Sequence, residues 1–315
     1  MTLHEIPLER RTLHGHFSSD LQPILTVEAG DTITFAALDG GWGLEAPRTD
    51  GSPRRRFEPR DPALDDGHAL VGPVEVRGAR SGQTLQVRID SILPGSYGFT
   101  VAGGWSTPLN DRLDVGSGDD CVLVWELDAP AGTGRDREGR EVKLSPFLGV
   151  LGMPPPQPGN HPTGPPRIWG GNLDCKELVA GTTLFLPIAV DGALFSAGDG
   201  HARQGGGEVS QTAIECPIER AELTLDLRED LELATPLALT DEGWVALGLG
   251  DDLNEAAANA TDAILGVMGR ELGLERREAL AFASLVVDLR VTQIVNGVVG
   301  VHAVLPHGAI GLRRI

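Results

Sequence analysis

Aromatic side chains are scarce in this chain, 4% of 315 residues with a single tyrosine, so its core has to be built from aliphatic residues. An apolar content of 41% over that length suffices for one large domain or two. Cysteine is scarce too: Cys121, Cys175 and Cys216 are odd in number and far apart. With no Cys-x-x-Cys pair to grip zinc, they read as small buried hydrophobes. Lys and Arg total 26 against 45 Asp and Glu, and the net charge of −19 repels phosphate backbones and anionic headgroups, so nucleic acid is not an expected partner. No run of 18 apolar residues is available to span a bilayer, and the opening MTLHEIPLERRTLHG lacks the apolar stretch of a secretory signal. A cytoplasmic protein with no membrane partner is expected.

Several catalytic signatures are absent as well: Gly-x-Ser-x-Gly, the P-loop pattern and His-Glu-x-x-His, which removes sequence support for a serine esterase, a P-loop enzyme or a zincin. What the chain has in quantity is glycine, 42 residues, and proline, 22, which favour many short strands joined by turns. Residues 23–38, 84–93 and 121–127 read as strands, and in the second Leu85, Val87 and Ile89 alternate with Gln86, Arg88 and Asp90. Further strands are predicted at 182–190 and 221–227, where Leu223, Leu225 and Leu227 alternate with Glu222, Thr224 and Asp226. Residues 46–67, rich in proline and mixed charge, read as a loop that could act as a lid. After Asp241 the pattern changes: Leu253, Ala257, Ala260, Ile264, Val267 and Leu272 form a helical stripe between a capping-box pair, Asp252 and Glu255, and a terminating Gly273. A shorter helix is predicted over 276–282, then two closing strands from residue 284 onward. The expected fold is mainly β, a sandwich or barrel-like body with an α+β C-terminal part. It divides into a β-rich 1–130, a second β-rich region 131–235 carrying the site, and 236–315.

The densest polar cluster in apolar, glycine-rich surroundings is 170–215. Asp199 and His201 are two apart, so on an extended segment both project from one face and can approach one ion. Asp174 in a Gly-Gly-Asn-Leu-Asp turn, Glu208 after the glycine run, and the distant His68 add ligand types that suit zinc or a similar divalent ion. Asp and Asn beside Gly are also ordinary turn residues, and a lone His is often structural, so braced turns remain the competing reading. Cys175 beside Lys176 offers a rival nucleophile, but neighbours on a strand point to opposite faces.

These residues resemble a known family. GGNLD at 170–174, LPIAVDGALFSAGDGHARQGGGEV at 186–209 and TAIE at 212–215 are similar to the signature region of acetamidases and formamidases. HALVGPVEVRGARSGQTLQVRI at 68–89, SPFLGVLG at 145–152 and SLVVDLRVTQIVNGVVGVHAVLP at 284–306 extend the likeness over nearly the whole chain. The resemblance implies a hydrolase that cleaves a small carboxamide to ammonia and the carboxylate with a divalent metal, zinc first and calcium or manganese otherwise. It implies His68, Asp174, Asp199 and His201 as ligand candidates and Glu208 as general base. Asn172 or Gln204 would donate to the oxyanion, their alternative role being to brace turns. Trp105 and Trp169 could wall the pocket, or serve as core aromatics. Gly206 stands where relatives often carry Asp, and Ser210-Gln211 where they often carry Cys-Gly, which bears on substrate choice. Two other readings stay open: a non-catalytic β-rich protein binding the ion or an amide, and an amidase for a larger or cyclic amide. A homodimer fits the family resemblance and the sheet edges such a fold leaves.

Overall fold

A computed structural model describes residues 1–48 and 52–311. Its architecture is mainly β, with helices concentrated near the C-terminus. The alternation at 84–93 is realised in strand Thr84–Pro94, where Leu85, Val87 and Ile89 are fully buried and Arg88 is exposed. This strand lies inside a nine-stranded sheet ordered Leu3–Ile6, Asp31–Ala37, Ile218–Arg228, Thr84–Pro94, Thr183–Pro187, Leu237–Leu239, Gly243–Gly250, Val299–Pro306, Asp288–Gln293. Strands from residues 1–130, 131–235 and 236–315 all enter it.

A six-stranded sheet runs Gly170–Asn172, Phe147–Gly152, Phe195–His201, Leu70–Val76 and Leu13–His14, with Leu25–Val27 pairing in parallel to Leu70–Val76. Leu85 and Ile89 of the large sheet share one apolar cluster with Leu148, Leu151 and Phe195 of the smaller one, which gives the body its sandwich-like core. A four-stranded meander, Tyr97–Ala102 to Glu141–Lys143, attaches through the bridge between Phe99 and Glu215.

Three details depart from the sequence expectation. The run 23–38 is two strands, Leu25–Val27 and Asp31–Ala37, because a turn closes at Glu28–Gly30 and sends them into different sheets. Gly30 takes φ +87° there. Residues 284–286 belong to a helix, Arg276–Val286, and the strand begins only at Asp288, since Ala279 and Ala283 pack one turn apart against the core. Thr224, on the expected wet face, is buried. Its hydroxyl donates to Asp90 at 2.6 Å and meets Thr32 at 2.7 Å.

The long helix, Leu253–Leu272, is capped as its sequence predicts. Asp252 accepts from the amides of Asn254 and Glu255, and Gly273 ends it at φ +68°. Glu255 reaches back to the Asp251 amide at 2.9 Å, one residue beyond the capping-box partner. The helix buries Ala256, Ala260, Ile264, Val267 and Met268 on Ala246, Val301 and Ala303 of the sheet. Small residues permit this close seat: a Cβ at Gly248 would overlap the backbone of Ala256 and Ala260. Gly248→Ala is therefore expected to destabilise the fold by roughly 1–3 kcal/mol in urea unfolding. Gly266→Ala, on the helix with nothing within 4 Å of the added carbon, should instead stabilise by about 0.5–1 kcal/mol.

Candidate active site

Three strands of the smaller sheet bring the predicted residues together. Asp199 and His201 lie on Phe195–His201. Asp174 follows the edge strand Gly170–Asn172, and His68 precedes Leu70–Val76 on the other flank. The sequence after His201 doubles back, returning Glu208 and Glu215 to the same place, with Glu215 bridged to His201. A cavity of about 570 Å³ opens onto all six side chains, and onto Asn172 and Asn296.

His201 is the hub. Its Nε2 lies 3.4 Å from Asp199 Oδ2 and 3.3 Å from Glu215 Oε2, and its Nδ1 lies 3.7 Å from Asp174 Oδ1. Phe147 packs edge-on against the ring at 5.0 Å. His68 Nε2 stands 3.9 Å from Asp199, with its Nδ1 2.8 Å from the Thr163 hydroxyl, which also accepts the His68 amide. Asp174, Asp199 and His201 are each at most 3% exposed. Each can contribute a donor atom: Asp174, His201 and Glu208 form one cation-sized group, and Asp199, His201 and Glu215 another.

Burial sets the protonation of this cluster. It raises the Glu208 carboxyl to about 10, with the Asp174 charge adding to the effect. It raises Asp174 to about 6, against the pull of His201. Burial acts the same way on Asp199, but His68 and His201 outweigh it and hold that carboxyl down at about 2. His201 moves upward, because Glu215 and Asp199 favour its charged form more than burial opposes it.

The remaining predicted residues divide. Gln204 has both ends of its amide engaged: Oε1 is 3.1 Å from His201 Nδ1, and Nε2 donates to the Asp174 carbonyl at 2.8 Å. It holds two candidate ligands in place. Asn172 faces the cavity, and its Oδ1 is buried without a hydrogen-bond partner. Trp105 donates to Gln211 at the cavity edge, and Trp169 does not line it; the aromatic walls are Trp42 and Phe99. Gly206 and Ser210 lie outside the lining. Cys175 points into the core, where burial first and Glu177 next push its thiol well above the usual range, so it makes no ready nucleophile.

Four contributors were not singled out from the sequence. Glu215 sits in the quoted TAIE segment, and its spacing from His201 gives no hint of the bridge. Asn296 donates to Asp174 Oδ2 at 2.5 Å from 122 positions away. Thr163 and Gly149 carry no signal of their own. A Cβ at Gly149 would stand 2.6 Å from Asp199 Oδ2, 2.7 Å from Asp174 Oδ1 and 2.8 Å from His201 Cε1.

Residues 4–161 and 158–238 match the model of the Acetamidase/Formamidase family, and these two stretches cover most of the chain. The chain belongs to the acetamidase/formamidase family. An acetamidase of Mycolicibacterium smegmatis is 48% identical over 256 residues, covering 62% of this chain and 61% of that protein. A formamidase of Methylophilus methylotrophus is 44% identical over 254 residues, covering 63% and 60%. The chain thus spans about three fifths of the length of these two relatives. The crystal structure of an acetamidase from Bacillus halodurans superposes with a TM-score of 0.81 at 27% identity, covering 96% of this family member and 97% of that chain. Family membership agrees with the resemblance read from the 170–215 segment.

Gly149 has no left-handed backbone to defend, so the only obstacle to alanine there is the cluster itself. Gly149→Ala is expected to keep the far-ultraviolet circular dichroism of the parent while binding zinc at least about tenfold more weakly, a loss of about 1.4 kcal/mol. Competition against a chromophoric chelator measures this, and equal affinity would count against a cation site at this cleft.

Proposed function

We propose that the chain hydrolyses a short aliphatic carboxamide, of the formamide or acetamide type, to ammonia and the carboxylate. The family supports the reaction class. The observation that carries the site is the convergence of Asp174, Asp199, His201, Glu208 and Glu215 on one cavity, with Asp174 Oδ1 buried and lacking any hydrogen-bond partner. So much buried acid around a single imidazole calls for a cation, and the donor set fits one: carboxylate oxygens with imidazole nitrogen suit zinc, and the oxygens alone suit calcium or manganese. Asp174, Asp199, His201 and His68 would hold it, with Glu215 within reach. When bound, such an ion polarises the amide carbonyl and lowers the pKa of water towards ~7.

The chain's own groups supply the rest. Glu208 takes the proton of the attacking water and returns it to the departing nitrogen, so that ammonia and not an amide anion leaves. Burial first, and the neighbouring carboxylates after it, push its carboxyl upward, and a cation beside Asp174 would offset the second of these. The Asn172 amide, which lines the cavity, would donate to the tetrahedral oxyanion, an interaction worth on the order of 3 kcal/mol. Gln204, Asn296 and Thr163 position the side chains that act.

The reading includes a homodimer in the cytoplasm with a small amide as its substrate partner. Supporting a dimer, the edge strand Asp288–Gln293 leaves Leu289 51% exposed, and Leu285 beside it is 78% exposed. Supporting the compartment, Cys121 is exposed and unpaired, a state that a reducing environment preserves. Among the described residues no helix is long and apolar enough to cross a membrane.

Ammonia release from formamide, acetamide and propionamide, measured with chelator and after metal return, tests the reaction. Activity should fall with chelation and recover with zinc, and Glu208→Gln should lower kcat by roughly 10²–10⁴-fold with KM little changed. Inactivity on the whole series with metal restored would remove the small-amide reading, and full activity in metal-free protein would remove the ion.

A further inference from the structure

The cavity is large for the amide just proposed. Acetamide has four non-hydrogen atoms, and at about 30 Å³ per water-sized group it would fill on the order of 100 Å³ of the 570 Å³ present. The lining also includes three arginines, Arg54, Arg56 and Arg60. Residues 54–60 read RRRFEPR, four arginines in seven positions of a chain whose net charge is −19. Extended backbone alternates their directions: Arg55 turns outward to Glu45 at 3.0 Å, whereas Arg54 and Arg56 line the cavity, and Arg60 joins them.

The three inward arginines have different commitments. Arg54 is held by a bidentate pair with the buried Asp39, at 2.6 and 3.0 Å, and its guanidinium lies 4.8 Å over Phe99, so it is structural. It ties the loop to Gly40-Gly41, of which Gly40 abuts Asp199 and Gly41 abuts Arg54. Arg60 rests 5.8 Å over Trp42, and its buried Nε makes no hydrogen bond but lies 3.5 Å from Oε1 of the exposed Glu58. The Arg56 guanidinium has no hydrogen bond or ion pair among the described residues. Asp66 also lines this part of the cavity and pairs with neither. Arg56, exposed and unpaired among the described residues, and Arg60, paired only at Nε, therefore share one cavity with the amide-cleaving cluster.

Resting on the hydrolase reading, we infer that the substrate is an amide whose acyl chain ends in a carboxylate, the monoamide of a short dicarboxylic acid, with Arg56 and Arg60 receiving the anionic end. Guanidinium presents a planar fork that matches a carboxylate, and in a partly enclosed cavity the pair is worth more than at an open surface. The arginines also answer a difficulty that a neutral substrate does not have: without them an anionic one would meet the negative field of the whole chain and the buried carboxylates of the cluster. Water adds across the amide carbon–nitrogen bond, which breaks, giving the dicarboxylate and ammonia, so the reaction balances as for acetamide.

Succinamate compared with succinamide, its neutral counterpart of equal length, tests the inference. The wild type should show a kcat/KM at least tenfold higher for succinamate, and this preference should shrink as sodium chloride is raised. Arg56→Gln and Arg60→Gln should each reduce the succinamate-to-succinamide ratio about tenfold, with melting temperatures reporting that both variants fold. Hydrolysis of succinamide and acetamide with no preference for succinamate, or a ratio unmoved in both variants, overturns the inference and leaves the hydrolase reading standing. If no amide is cleaved, the hydrolase reading fails, and calorimetric binding of succinamate decides separately: binding weakened by both variants supports the anion site, and binding that is absent or unchanged overturns it.

Discussion

One imidazole among buried carboxylates governs this structure. His201 has Asp174 on one ring nitrogen and Asp199 and Glu215 on the other, all within 3.7 Å and all withdrawn from water. Two like charges 4 Å apart at an effective dielectric of 20 repel by about 4 kcal/mol, and His201 and His68 between them cannot balance every acid present. The cluster meets this by keeping Glu208 protonated and moving Asp174 upward, while Asp199, nearest the imidazoles, stays ionised. A stable fold could avoid the whole cost with apolar residues of similar volume. That it accepts the cost, and leaves Asp174 Oδ1 without a hydrogen-bond partner, marks this place as built for something other than stability.

The scaffold is shaped to hold that arrangement. Trp42, Asp174, Asp199, Glu208 and Gln211, all lining the cavity, have positive φ although none is glycine. Each such backbone costs of order 1–3 kcal/mol and persists only where its surroundings enforce it. Here the enforcement is visible. The Gly149 carbonyl receives the amides of Leu173 and Asp174, Gln204 fastens the Asp174 carbonyl, and Thr163, from the proline-rich segment, fixes both the amide and the ring of His68. Asn296, in the turn between the last two strands, ties the C-terminal part of the fold to Asp174.

Local periodicity made much of the fold legible. Leu85, Val87 and Ile89 announce a strand with one buried face, and Asp252 with Gly273 brackets a helix, because these signals are short-range. The turn at Glu28–Gly30 escaped since both flanking runs are β-rich, and which sheet each joins depends on partners far along the chain. In the same way Asp199 and His201 were legible from spacing two on a strand, and Asp174 and Glu208 from their glycine-rich setting. Glu215, Asn296, Thr163 and Gly149 were not. Glu215 acts through a bridge and Asn296 through a contact across 122 positions, while Gly149 matters for the carbon it lacks. Trp105 and Trp169 are half-buried and outside the cavity lining, and sequence could not decide between pocket wall and core for them because proximity to a signature segment says nothing of which face a ring takes.

The geometry also separates what can vary from what cannot. Gln204 bonds the His201 ring and the Asp174 carbonyl, Asn296 the Asp174 carboxylate and the Gly149 carbonyl the Asp174 amide, so a change at any of them disturbs the centre itself. Residues 46–67 stand otherwise. Their described residues carry no strand beyond the isolated Gly43–Arg56 bridge, yet Arg54, Arg56 and Arg60 form part of the cavity wall. Arg54 anchors that wall through Asp39, and the positions around it are free of the cluster's hydrogen bonds. On the proposed reading, a side chain replaced there would alter what the outer cavity accepts and leave His201 and its carboxylates in place, so that selectivity would lie in the arginine-rich loop and reactivity in the strand that ends at His201.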